Sequence, residues 1–156
     1  MQIYLLRHAE AEDDPTNDGK RALTAKGEKQ AKSVGRFCRN HSVIPEIILS
    51  SPLRRAEQTA LIFARELDMQ SAVRLEEFLL PGLTLERAFS ALEKYREKAS
   101  ILLVGHEPDF SKLAASLIGT RPENVHFRKA TLISVNLPKM ESGAGAIDFL
   151  IPVKCL

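Results

Sequence analysis

The chain has 156 residues, a length that implies one domain over 1–156. Its 44% apolar and 27% charged residues are those of a globular chain, and a formal net charge of +2 excludes the strongly basic footprint of a nucleic-acid binder, though a local basic excess at an anionic ligand stays open. Cys38 and Cys155 make no disulfide framework, no apolar run approaches the roughly 20 residues that span a bilayer, and no leader pattern opens the chain, so the expected location is the cytoplasm, with neither membrane nor nucleic acid as partner.

The apolar run up to Leu6 predicts a first strand, buried in a parallel sheet, with Arg7 and His8 at its end. A polar loop follows from Glu10 to Arg21, with turn signals at Asp13-Asp14-Pro15 and Asp18-Gly19. Thr24 is the expected N-cap of a helix with Ala31, Val34, Phe37 and Cys38 on its apolar face. Gly27 and Gly35 lower its propensity, so something else holds them there. Residues 45–50 predict a second strand, with Ser51 capping the next helix and Pro52 in its first turn. Ala56, Ala60, Phe63, Ala64 and Leu67 form that helix's stripe. A short strand is expected over 72–75, and a third helix after Thr84. Ser100–Gly105 is the clearest buried strand, followed at once by His106 and a helix over about 108–118 that stops at Gly119. Two further strands over 131–137 and 146–153 predict an antiparallel hairpin at the sheet edge. The pattern is that of a three-layer α/β/α sandwich with a mostly parallel central sheet.

Ligands of open α/β sheets bind beyond the carboxyl ends of the strands. Arg7, with its fixed guanidinium fork, and His8, which can be a nucleophile or base near neutral pH, leave the sheet there. A second helix begins at a strand end after Ser50, and helix N-termini attract anions. Arg54 and Arg55 lie roughly 100° apart on that helix, so both are not expected to serve one site. His106 again stands between a buried strand and a helix.

Leu6-Arg7-His8-Ala9, Ser51-Pro52-Leu53-x-Arg55-Ala56-x-Gln58-Thr59-Ala60 and Gly105-His106 closely resemble the motifs of the histidine phosphatase superfamily, the phosphoglycerate-mutase-like proteins, in the family's order. The short length and the segment Arg21-Ala-Leu23-Thr24-x-x-Gly27 look most like the SixA-type phosphohistidine phosphatases. The resemblance implies that His8 is the nucleophile, that Arg7 and Arg55 hold the phosphate oxygens, that His106 donates a further hydrogen bond, and that Arg21 is a fourth phosphate contact. Arg54 then reads as a solvated surface arginine. Such chemistry needs no metal and no cofactor, because cationic donors spread around a phosphoryl group stabilise its transition state. Nearby cations keep the nucleophilic nitrogen unprotonated.

The general acid is the open position. By alignment with the mutase branch it would be Glu77; Asp18 is a second candidate. A phosphohistidine substrate eases the need, since its leaving group departs as neutral imidazole. The substrate implied is thus a phosphohistidine-containing protein. Alternatives are a small-molecule phosphomonoesterase or mutase-like enzyme, a metal-dependent hydrolase built on His8 and His106, and a phosphate-binding module without turnover. The acidic run Glu10, Glu12, Asp13 and Asp14 reads as a solvated loop, and His41 and His126 as loop or surface residues.

Overall fold

A computed structural model describes residues 1–14 and 16–156; Pro15 of the first turn signal lies outside the described residues. Six strands form one sheet: β1 (Gln2–Arg7), β2 (Ile47–Ser50), β3 (Val73–Leu75), β4 (Ser100–Gly105), β5 (Leu132–Asn136) and β6 (Ala146–Ile151). Their order is β3-β2-β4-β1-β5-β6. The pairs β1–β4, β2–β4 and β2–β3 are parallel, and β5 runs antiparallel to both β1 and β6. The sheet is therefore mostly parallel with an antiparallel C-terminal pair, as the strand pattern predicts. Among the described residues no helix is long and apolar enough to cross a membrane.

Side chains alternate across a strand, so consecutive apolar residues serve opposite faces. Leu6, Ile48 and Leu102 join α1 (Ala25–Asn40) and α2 (Arg54–Glu66) in one core through Ala31, Val34, Cys38, Ala60 and Phe63. Leu5, Leu49 and Leu103 join α3 (Leu85–Leu92) and α4 (Asp109–Ile118) in the other through Ala88, Leu92, Phe110 and Leu117. Burial on both faces explains why the strands read as continuous apolar runs.

Thr24 caps α1 by accepting from the Gly27 amide, and Thr84 caps α3 by accepting from that of Arg87. Helix α4 ends at Gly119, whose φ of 71° is left-handed. The two helical glycines have a steric cause. A Cβ on Gly27 would lie 1.9 Å from the Glu10 carbonyl oxygen, and one on Gly35 would lie 2.9 Å from the Glu66 Cβ. Gly27 thus lets α1 press against the loop that follows His8, and Gly35 lets α1 and α2 close together. Two expectations change. Ser51 does not cap α2: the helix starts at Arg54, Leu53 is its N-cap, and no side chain caps it. Pro52 precedes the helix rather than lying in its first turn. Phe37 lies on the apolar face as expected, half-buried against the same core, and its ring also stacks on His41 with centroids 4.2 Å apart.

Parallel pairing sets the ends of three strands side by side. Arg7 is the register partner of Gly105, and Ser50 that of Val104. The ladder runs one residue further, with the His8 amide donating to Gly105 O (3.0 Å) and the Ser51 amide to Val104 O (3.0 Å). His8, Ser51 and His106 therefore leave the sheet together.

Candidate active site

The His8 and His106 rings lie with centroids 5.3 Å apart, tilted by 53°. His8 Nδ1 is 2.8 Å from the carbonyl oxygen of Ala9. A carbonyl only accepts, so Nδ1 carries the proton and the Nε2 lone pair is free. Burial is the main cause that pushes the His8 pKa down to about 3; the Ala9 carbonyl opposes it, and His106, Arg55 and Arg7 add to the depression. The ring is neutral at physiological pH, which a nucleophile requires.

His106 Nε2 is 2.8 Å from Ser51 Oγ, and that oxygen already accepts from the Leu53 amide at 3.3 Å. Among the described residues the Ser51 hydroxyl hydrogen has no other acceptor, so the arrangement that satisfies it donates to His106 Nε2 and puts the ring hydrogen on Nδ1. Burial and then Arg55 push the His106 pKa down to about 4, against the attraction of Asp18 and Asp109.

Arg55 is 5% exposed, and it gives one terminal nitrogen to Asp18 O (2.8 Å) and the other to Asp18 Oδ2 (3.1 Å). Arg7 gives a terminal nitrogen to Phe127 O at 2.7 Å. Both guanidinium groups keep a buried Nε–H without a partner, and His106 Nδ1 is likewise buried and unpartnered. Each buried polar group left unpaired costs about 1–3 kcal/mol. An anion with several oxygens is the ligand class that would satisfy such N–H groups together.

Arg21 joins the group through Asp18, donating to Oδ1 at 3.0 Å while its Nε holds Glu12 O at 2.6 Å. Arg54 is exposed. The candidate acids stand differently from expectation. Hydrogen bonding from Arg21, with Arg55 behind it, holds the Asp18 carboxyl below the usual range, so at neutral pH it has no proton to give. Asp18 is the counter-charge of two arginines. Glu77 is exposed at the start of a 3-10 turn and makes no hydrogen bond or ion pair with any residue of this group.

Two residues of the middle motif have a positioning role that the sequence reading did not assign. The Thr59 hydroxyl donates to Arg55 O (2.7 Å) and accepts from the Ala9 amide (3.1 Å), which ties α2 to the residue after His8. Gln58 Oε1 accepts from the Leu23 amide at 2.8 Å and so anchors the loop that carries Arg21. Their three- and four-residue spacing from Arg55 was the available signal, since it puts all three on one side of the helix.

The family model of the histidine phosphatase superfamily (branch 1) matches residues 3–83. The phosphohistidine phosphatase SixA of Escherichia coli strain K12 is 30% identical over 152 residues, covering 96% of this chain and 92% of that protein. An uncharacterized protein of Picosynechococcus sp. is 34% identical over 153 residues, covering 95% of this chain and 89% of its own. A solved structure of the protein histidine phosphatase SixA complexed with tungstate superposes with a TM-score of 0.89 at 28% identity, covering 99% of both chains. The chain belongs to the histidine phosphatase superfamily. Its likeness within that superfamily is to the SixA type.

Proposed function

We propose that this chain is a protein phosphohistidine phosphatase that works through a covalent phosphoryl group on His8. The observation that carries the reading is the neutral His8 ring, its Nε2 unpartnered, beside three buried and unsatisfied nitrogens on Arg7, Arg55 and His106. His8 Nε2 attacks phosphorus as the bond from phosphorus to the substrate nitrogen breaks, and the bonding pair leaves with that nitrogen. A substrate ring already protonated on its distal nitrogen departs as neutral imidazole. Water then attacks the phosphorus on His8, the pair of the P–N bond returns to Nε2, and both water hydrogens leave on the product as dihydrogen phosphate. Splitting the hydrolysis into two transfers lowers each barrier, and the arginine and His106 donors stabilise the oxygens in both. Arg21 acts on the phosphate through Asp18 and Arg55 or directly once Asp18 is displaced.

The absence of a proton from Asp18 and the exposed place of Glu77 favour a leaving group that needs no acid. Likeness to the Escherichia coli phosphohistidine phosphatase SixA supports the same substrate class. The test is incubation with a labelled phosphohistidine protein, a phosphoserine peptide and sugar phosphates, with acid-labile label on the enzyme as readout. The expected result is turnover of the first and transient labelling that His8→Ala abolishes. Turnover of sugar phosphates alone, or loss of activity with EDTA and its return with Zn²⁺, overturns the reading.

A further inference from the structure

A cleft of about 540 Å³ lies between α1, the segment before β5 and the chain after β6, and Glu10, two residues after His8, is in its lining. Lys26, Lys29, Arg128, Lys129 and Lys154 line it, with Glu10 as the one carboxylate. Its formal charge of +4 exceeds the +2 of the whole chain, so the rest of the chain is formally net negative. Glu10 pairs with Lys26 at 2.9 Å. Among the described residues Lys29, Arg128, Lys129 and Lys154 have no carboxylate within 4.0 Å, and Lys29 and Lys154 are exposed. A second cleft of about 570 Å³ between α1 and α2 shares Lys29 but sets Glu28 and Glu66 against Lys29, Lys32 and Arg65, so it lacks the charge excess.

The segments that line the basic cleft are tied through hydrogen bonds to the strand end that carries Arg7 and His8. Phe127 O holds Arg7, and the Ala130 amide donates to Arg7 O (3.2 Å) and His8 O (3.3 Å), so Arg128 and Lys129 sit on a segment pinned at both ends to the catalytic strand. Glu10 follows His8 by two residues, and its amide is held by Gln30 on α1 at 2.9 Å. A phosphorylated residue in the pocket would carry its flanking chain across these cations.

We infer that this cleft is a docking surface for an acidic segment of the phosphoprotein substrate, next to the phosphorylated residue. The inference deepens the phosphohistidine reading and rests on it. A protein segment fits better than the other polyanions. No aromatic side chain lines the cleft to stack a nucleic-acid base. A bilayer surface, being broad, reaches the exposed lysines but does not enter a concave site.

The test uses phosphohistidine peptides with a flanking run of aspartates or with a matched neutral flank. At low salt the wild-type protein is expected to prefer the acidic peptide by about tenfold in kcat/KM, through KM, and to lose the preference near 0.5 M NaCl, roughly where charges are screened within a few ångströms. The double variant Lys29→Glu/Lys154→Glu is expected to lose the preference while keeping its rate on the neutral peptide. Equal turnover of both peptides by the wild-type protein at low salt overturns the docking surface and leaves the phosphohistidine reading intact. If neither peptide is hydrolysed but a sugar phosphate is, the phosphohistidine reading fails. Binding of the unphosphorylated aspartate peptide then decides the cleft: binding that the double variant abolishes supports it, and no binding overturns it. An RNA oligonucleotide or anionic vesicle that binds more tightly than the peptide and is released by the same double variant assigns the cleft to that polyanion and overturns the proposal.

Discussion

Ser51 and His106 stand at the ends of neighbouring parallel strands and share a 2.8 Å hydrogen bond. The bond favours the Nδ1–H tautomer of His106, because Nε2 is the one acceptor within reach of the serine hydroxyl hydrogen among the described residues. Ser51→Ala removes the group that keeps the proton on Nδ1. A lost hydrogen bond is worth about 1 kcal/mol, so kcat/KM is expected to fall by about fivefold to tenfold. Nitrogen NMR of the His106 ring checks the cause: the variant should show a mixture of tautomers. An unchanged rate and an unchanged spectrum together would refute the role.

Arg55 brings a buried fork to the site and holds Asp18 in place. Arg55→Ala is expected to lower kcat by about a hundredfold, the scale of a lost charge-stabilising donor. Arg55→Lys should recover little, since an ammonium cannot supply both Nε and the terminal nitrogens. Steady-state kinetics decide the matter, and a loss below about twofold counts against Arg55 as a phosphate ligand.

Asp18 occupies terminal nitrogens of two arginines that an oxyanion would want. Tungstate is expected to inhibit the wild-type protein, and Asp18→Asn is expected to tighten that inhibition by about threefold to tenfold, because one negative charge beside the anion is gone. Weaker inhibition in Asp18→Asn would mean that the carboxylate serves chiefly to orient the arginines.

The histidines make stability sensitive to acid. Folded His8 and His106 protonate only near 3 and 4, whereas the unfolded chain takes up those protons near pH 6.5. Between these limits the unfolded state binds more protons, so stability falls as pH drops from about 6.5 and is unaffected by these groups above it. The depressed carboxyl of Asp18 adds a loss of the same sign at lower pH. Thermal unfolding from pH 8 to 4 is expected to show Tm declining below about 6.5, with a shallower decline in His8→Asn. Parallel profiles for the two proteins would contradict the neutral buried ring.

Gly27→Ala places a methyl group against the Glu10 carbonyl. Overpacking at a rigid contact costs about 2 kcal/mol, which corresponds to a Tm lower by about 6 °C for a chain of this size. Calorimetry measures it, and because the same loop follows His8, activity should fall at temperatures well below the transition.

The elements were legible because their signals are local. The apolar run Ile101–Val104 sits inside a strand with the expected bounds Ser100–Gly105, and Thr24, Thr84 and Gly119 mark helix ends through contacts made within a few residues. The hairpin also follows its pattern, with β5 against β6. A serine before a helix ordinarily caps it, but the Ser51 hydroxyl meets the His106 ring, which follows another strand. Asp18 carried no local sign of being clamped by Arg21 and Arg55, because the second arginine arrives from α2.

By itself the sequence determined the strand and helix periods, the order of the Arg7-His8, Ser51–Ala60 and Gly105-His106 segments, and the family they resemble, because burial pattern and motif spacing are written along one chain. Which nitrogen of each imidazole is tied down, which carboxylate faces the arginines, and the meeting of Lys29, Arg128 and Lys154 at one cleft follow from the folded arrangement alone. Those relations join groups on different elements. They exist only after the sheet has set its strands in the order β3-β2-β4-β1-β5-β6 and the helices have closed on its two faces.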